Sequence, residues 1–403
     1  MHPTAEQLTS AQWMDRARHV LVPNYKQAPV VAVRGEGVYI WDVEGRRYMD
    51  LIGGVAVCAL GHCHPELVSV LKAQAETLWH VSNGIYIAQQ VELAGRLTAL
   101  SGLDRAFFCN SGAEANEALI KLTRRYMDES GRPARHEIIC FHQSFHGRTL
   151  ATLTATGQPK YQKGFDPLPA GFVYADYGDI ESVRRLVGPH TAAVLVEPVQ
   201  GEGGVKPAPA GFLRALRALC DEHGLLMLVD EIQSGMGRTG KPFAFQHEGI
   251  LPDAISSAKA LGNGFPIGAM VAKEKVAAAL GPGTHGSTYG GNPLGCAVAN
   301  RAVQLCTEPA MLEGVTRKGE HLVAKLRALQ ARMPAKISDV RGRGLLVGLE
   351  LTEEAAPALG RIRERGLILN LAGERTLRFA PAFTVTEAQL DEAVAIVEAA
   401  LQG

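Results

Sequence analysis

An α/β fold is predicted: a large domain with a mostly parallel mixed sheet flanked by helices, and a smaller α+β unit beside it. Three features of the 403-residue sequence predict it. From about residue 100, short apolar runs alternate with helical stretches, the pattern of strands joined by crossover helices. After about residue 295 that alternation stops. The 44 glycines are clustered, which points to tight backbone geometry at particular places.

The elements follow in order. Residues 38–41 and 47–49 flank the turn Asp42-Val43-Glu44-Gly45 and read as a hairpin. Residues 106–109 form a strand that leads into a helix from Ala113 to about Met127. Further strands fall at 138–141, 193–196, 225–229, 254–257 and 269–272. Between two of them Phe212, Leu213, Leu216, Leu219 and Cys220 share one helix face, with Gly224 where a C-terminal cap belongs. A long helical region then reaches about Gln330, followed by apolar runs at 345–351, 366–369 and 376–380. The last helix opens with Thr386 and Gln389 in capping-box spacing and buries Leu390, Val394, Val397 and Leu401. Residues 1–57 are expected to join the small unit, 58–294 to form the large domain, and 295–403 to form the small one.

Composition excludes several functions. Basic and acidic residues balance at 41 each, leaving no cationic surplus for a nucleic-acid backbone. No apolar run reaches the about 18 residues of a membrane helix, and the N-terminus lacks a secretory signal. Seven cysteines, odd in number and mostly inside apolar stretches, argue against a disulfide framework and for a reducing cytoplasm.

Three motifs can carry chemistry. Asn110-Ser111-Gly112-Ala113-Glu114 ends a strand and opens a helix, whose free N–H groups suit a phosphate; alone it also fits an ordinary capped helix. Asp230 and Glu231 end a buried strand at the sheet edge where ligands bind; alone they also fit a salt bridge. Lys259 ends a short strand and enters a glycine-rich loop, where partial burial lowers an amine's pKa and frees it as nucleophile or base. Two motifs mislead. Gly235-Met236-Gly237-Arg238-Thr239-Gly240 matches a dinucleotide pattern, but Lys241-Pro242-Phe243 does not open a helix. His62-Cys63-His64 and the pair His142 and His146 read as structural, so no metal is expected. Taken together, an anion site, a carboxylate and a lysine on one sheet edge are what pyridoxal 5'-phosphate requires.

At these residues the sequence resembles the class III (ω-amino acid) aminotransferases of pyridoxal-phosphate fold type I, from about Tyr25 to the C-terminus. The motifs that carry the resemblance span 107–117, Phe145-His146-Gly147-Arg148-Thr149, 197–204 and 230–233. Lys259 with its loop, 285–293 and Arg378-Phe379-Ala380-Pro381 complete them. Asn263 departs from the pattern, standing where many relatives have glycine.

The resemblance implies roles residue by residue. Lys259 would bond the cofactor's aldehyde and shuttle the proton, and Asp230 would pair with its ring nitrogen. Gln233 would meet the phenolic oxygen, with Glu231 and Ile232 in the same segment, and Phe145 would stack on the ring. Ser111, Gly112 and Ala113 would hold the phosphate, joined by Thr288 from the second subunit of a homodimer. The implied reaction moves the δ-amino group of N2-acetyl-L-ornithine to 2-oxoglutarate. Arg148 would bind the donor's distant carboxylate, with Ser287 and Tyr25 at the same end. Arg378 would bind the α-carboxylate of 2-oxoglutarate and pair with Glu202 when the donor is present. The alternatives are a succinylornithine or other ω-amino acid transaminase, a racemase or decarboxylase on the same scaffold, and a phosphate-binding module without catalysis.

Overall fold

The alternating region builds one seven-stranded sheet. Numbered within that sheet, β1 is Arg105–Cys109, β2 Glu137–Phe141, β3 Phe172–Ala175, β4 Thr191–Val196, β5 Leu226–Asp230, β6 Ala254–Ser257 and β7 Gly268–Ala272. Their spatial order is β1-β7-β6-β5-β4-β2-β3. Only β7 runs against its neighbours, pairing antiparallel with both β6 and β1; the other pairings are parallel. The computed structural model describes residues 8–403, so residues 1–7, where a secretory signal was judged lacking, lie outside the described residues.

Both sheet faces are buried, which is why these strands read as unbroken apolar runs. Along β5, Met227 and Val229 enter one core cluster while Leu226 and Leu228 enter the other. The helix Phe212–His223 covers the first face with Phe212, Leu213, Leu216, Leu219 and Cys220, and ends on Gly224 in the left-handed conformation. The helix Gly112–Glu129 covers the second with Ala118, Leu119, Leu122 and Met127.

The chain ends build smaller sheets. Ile337–Arg343, Leu346–Leu351, Thr376–Phe379 and Asn370–Ala372 form a four-stranded antiparallel sheet in that order. The hairpin Tyr39–Asp42 and Arg47–Asp50 forms as expected. Its second strand pairs in parallel with Leu367–Ile368, joining the two chain ends. The long helical region divides into Pro293–Cys306 and Pro309–Arg332, because Pro309 cannot continue a helix but fits its first position. The first of these packs against the helices Pro65–Ala75 and Ala88–Ser101. The capping box at the last helix is present, with Thr386 and Gln389 bonding each other's backbone N–H groups.

The glycine motif and His62 have structural roles. Residues 235–240 form turns rather than a helix start, and Arg238 is fully buried. Its Nη1 donates to the carbonyls of Leu345 (3.1 Å) and Pro381 (2.5 Å), tying the loop to the C-terminal sheet. His62 Nε2 lies 2.8 Å from Asp50 Oδ2, a bond that with Cys58 pushes the imidazole up to about 10. All seven cysteines are unpaired. Among the described residues no helix is long and apolar enough to cross a membrane.

Candidate active site

The parallel strands deliver their C-terminal ends to one edge of the sheet, the position that gathers ligands in such folds. A cleft of about 350 Å³ opens there. Ser111, Gly112 and Ala113 follow β1, Phe145 and Arg148 follow β2, and Glu197 follows β4. Asp230, Ile232 and Gln233 come from the end of β5, Lys259 from the loop after β6.

At the β1 end, Ser111 Oγ caps the helix by accepting the Glu114 N–H, and Glu114 Oε2 accepts the Asn110 N–H (3.0 Å). The Gly112 and Ala113 amides at the start of the helix are left without intrahelical partners, an arrangement that suits an anion. Gly112 is needed for space, since a Cβ there would lie 2.8 Å from Ile232 Cδ1.

At the β5 end, Asp230 is buried and held by three donors. Asn116 Nδ2 (2.7 Å) and His146 Nδ1 (2.8 Å) reach Oδ2, and the Ile232 N–H reaches Oδ1 (3.0 Å). Glu197, also buried, accepts the Phe145 N–H (3.0 Å). Burial and the neighbouring Asp230 carboxylate hold its carboxyl well above the usual range.

Lys259 faces these carboxylates from a backbone with φ of +50°, a conformation that costs a non-glycine residue about 1–3 kcal/mol and clusters at functional sites. Among the described residues its amine makes no hydrogen bond or ion pair. Burial lowers its pKa, with Glu202 opposing and Arg378 assisting. The loop is braced by Asn263, itself at φ +45°. Asn263 Oδ1 accepts the Leu60 N–H (2.7 Å), and its Nδ2 donates to the Gly61 carbonyl (3.2 Å).

Of two further arginines, Arg148 lines the cleft, whereas Arg378 is outside the lining and bonds Gln233, which is part of it. Arg378 is fully buried and donates to Glu202 Oε1 (2.5 Å), Gln233 Oε1 (2.8 Å) and Asn370 Oδ1 (3.1 Å). Burial would raise Glu202, but Arg378 and Lys259 outweigh it and hold the carboxyl below its ordinary value. The proposed pair is therefore in contact. Arg148 is different: exposed, it makes no ion pair among the described residues.

Two expectations are corrected by the geometry. Glu231 turns away from the cleft, because side chains alternate across a strand end. Its carboxylate accepts Ser234 Oγ (2.6 Å) and the Phe245 N–H (2.8 Å), and burial pushes it up to about 7. Tyr25 is 78% exposed and lines a separate groove under the N-terminal helix Ser10–Val20. Thr288 is exposed and does not line the cleft of its own chain. Ser287 sits beside the cleft, its Oγ accepting Asn110 Nδ2 (3.2 Å). Sequence reasoning missed Glu197, Asn116 and the bond from His146. Glu197 carried a signal, an acid directly after an apolar strand, as at Asp230.

Comparison with known proteins settles the class. The family model for Aminotransferase class-III matches residues 20–401. The chain belongs to the class-III aminotransferases. It is 62% identical to the acetylornithine aminotransferase of Myxococcus xanthus over 379 residues, covering 94% of each chain. The crystal structure of N-acetylornithine aminotransferase from Stenotrophomonas maltophilia K279a superposes with a TM-score of 0.83 at 38% identity, covering 96% of this chain and 98% of that one. Ornithine aminotransferase from Toxoplasma gondii ME49 gives 0.94 at 31% identity, covering 98% and 95%.

Class-III aminotransferases depend on pyridoxal 5'-phosphate, and the donor set of this cleft fits it. Free helix amides suit the phosphate, a triply held carboxylate suits a protonated ring nitrogen, and an unpartnered amine suits the aldehyde. When bound, that cofactor supplies an electron sink for the C–H bond beside the substrate's amine. Membership of this family sets aside the non-catalytic phosphate-binding module.

Proposed function

We propose that this aminotransferase moves the δ-amino group of N2-acetyl-L-ornithine to 2-oxoglutarate, giving N-acetyl-L-glutamate 5-semialdehyde and L-glutamate in arginine biosynthesis. The observation that carries this reading is the unequal treatment of the two arginines. Glu202 neutralises Arg378 beside Lys259, so a donor with no carboxylate near its reacting amine meets no bare cation there. Arg148 stays unpaired for a carboxylate farther out, and its planar fork suits bidentate contact. For the second substrate, Glu202 leaves Arg378 to the α-carboxylate of 2-oxoglutarate. With the cofactor bound, Lys259 would move the proton, Asp230, fixed by His146 and Asn116, would keep the ring nitrogen protonated, and Phe145, anchored through Glu197, would lie against the ring.

The enzyme acts as a cytoplasmic homodimer in which Thr288 reaches the phosphate of the partner's site. Support comes from the exposed position of Thr288 and from apolar residues around it (Trp79, Ile85, Tyr86 and Tyr289) left on the surface.

Single-turnover spectroscopy of the holoenzyme tests the reading, comparing N2-acetylornithine, N2-succinylornithine and free ornithine. The acetyl donor is expected to bleach the cofactor's visible band fastest, and subsequent 2-oxoglutarate to yield glutamate. Faster bleaching by the succinyl donor would reassign the acyl group. Consumption of the donor with neither bleaching nor glutamate formation would overturn transamination itself, in favour of a racemase or decarboxylase.

A further inference from the structure

Arg148 has to present its guanidinium to a carboxylate, yet no carboxylate, amide or carbonyl of the protein fixes it among the described residues. It has an aromatic face instead. Its Cζ lies 4.2 Å from the centroid of Tyr161 and 5.6 Å from that of Phe145. Tyr161 in turn meets Phe145 edge-on, with centroids 5.9 Å apart at 82°. One tyrosine therefore touches both the ring-covering residue and the carboxylate-binding one.

Tyr161 is well placed for this. It lies on the short helix Pro159–Gln162, and the next residue fastens that helix down. Gln162 Nε2 donates to the carbonyls of Thr154 (3.2 Å) and Thr156 (2.9 Å) and to Tyr174 Oη (3.1 Å). Thr154 belongs to the helix Leu150–Ala155, which starts just after Arg148. The guanidinium and the ring beneath it are thus held at two ends of one folded unit. Lys160 Nζ lies 5.0 Å from the same ring, but an ammonium cannot make the planar stack that a guanidinium makes. A free arginine spreads over many rotamers, and freezing it at each binding event weakens binding. A preformed stack on an aromatic face removes that cost.

We infer that Tyr161 is a positioning residue for donor recognition: its ring holds the Arg148 guanidinium ready for the donor's distant carboxylate. The inference rests on the reading of Arg148 under Proposed function. Tyr161 acts in binding the donor and not in the chemistry at its amine.

Kinetics of the holoenzyme test it. Tyr161→Leu is expected to raise KM for N2-acetylornithine about tenfold, with kcat held within about twofold. Tyr161→Phe restores the wild-type KM, because the ring and not the hydroxyl makes the stack. N-acetylputrescine, the same donor without its carboxylate, is used equally well by Tyr161→Leu and wild type. In an Arg148→Gln background, Tyr161→Leu adds no further loss. Equal losses with both donors, or no rescue by phenylalanine, would overturn the inference. If Arg148→Gln leaves the KM for acetylornithine unchanged, the reading of Arg148 fails and this inference with it. If Arg148→Gln raises that KM while Tyr161→Leu does not, only the inference falls.

Discussion

Lys259 and Glu197 face each other across the cleft with shifts of opposite sign, and each leaves a mark on stability. Burial lowers the Lys259 pKa, so the folded chain binds fewer protons than the unfolded one between that lowered value and about 10.4. Stability of the cofactor-free protein therefore rises with pH across this window. Lys259→Met should abolish the rise, as urea unfolding at a series of pH values would show. Glu197 is raised by burial and by Asp230, so here the folded chain binds more protons and stability falls as pH climbs above about 4.3. Glu197→Gln keeps an acceptor for the Phe145 N–H and should remove that fall; an unchanged pH slope would refute the assignment. Of these two groups only Lys259 was marked as functional from sequence, through a strand end that runs into a glycine-rich loop. Glu197 had only the signal of an acid after an apolar strand, and the fold gives that signal its meaning by setting Glu197 against Asp230 and Lys259. The Glu202–Arg378 pair shows the same limit: the resemblance suggested both residues, but only the fold brings the loop of Glu202 and the C-terminal strand of Arg378 within 2.5 Å.

The elements whose both faces are buried were the most readable. The predicted span 254–257 coincides with β6, and 138–141 and 193–196 each fall within a residue or two of β2 and β4, because continuous apolar runs bounded by turn residues leave few other assignments. Very short elements were not readable. Val199–Gln200 and Lys206–Pro207 form a two-stranded ribbon that carries Glu202 at its tip, and two residues have no periodicity to detect. The loop after β6 illustrates a third case, in which a departure from a family pattern has a local cause. Asn263 tolerates the left-handed backbone and also bonds the Leu60 N–H and Gly61 carbonyl. Asn263→Gly loses those bonds alone and should cost about 1–2 kcal/mol. Asn263→Ala adds the strain of a Cβ at positive φ, about 1–2 kcal/mol more. Urea midpoints of the holoenzyme would rank wild type above Gly above Ala; equal midpoints for Gly and Ala would remove the backbone argument.

A single chain leaves a wide apolar surface uncovered. Tyr86 is 99% exposed, with Trp79, Ile85, Val91 and Tyr289 also on the surface. This patch is continuous with the loop that carries Thr288. Asn83 Nδ2 donates to the carbonyls of Ser287 (3.1 Å) and Gly290 (2.9 Å), and the His80 and Tyr289 rings lie 5.4 Å apart. Exposed aromatic clusters of this kind mark association surfaces, and a closed twofold contact is the commonest form such association takes. Hybrid dimers decide whether Thr288 acts across that contact. A chain carrying Lys259→Ala is paired with a chain carrying Thr288→Ala, each with its own affinity tag so that only hybrids are recovered. If Thr288 serves the partner's site, one of the two sites combines both defects and the other has wild-type Lys259 with wild-type Thr288. The hybrid would then show one wild-type site per dimer, with half of the cofactor bound at wild-type affinity. If Thr288 serves its own chain, each site has one defect, and no site of the hybrid recovers both the affinity and the turnover of the wild type.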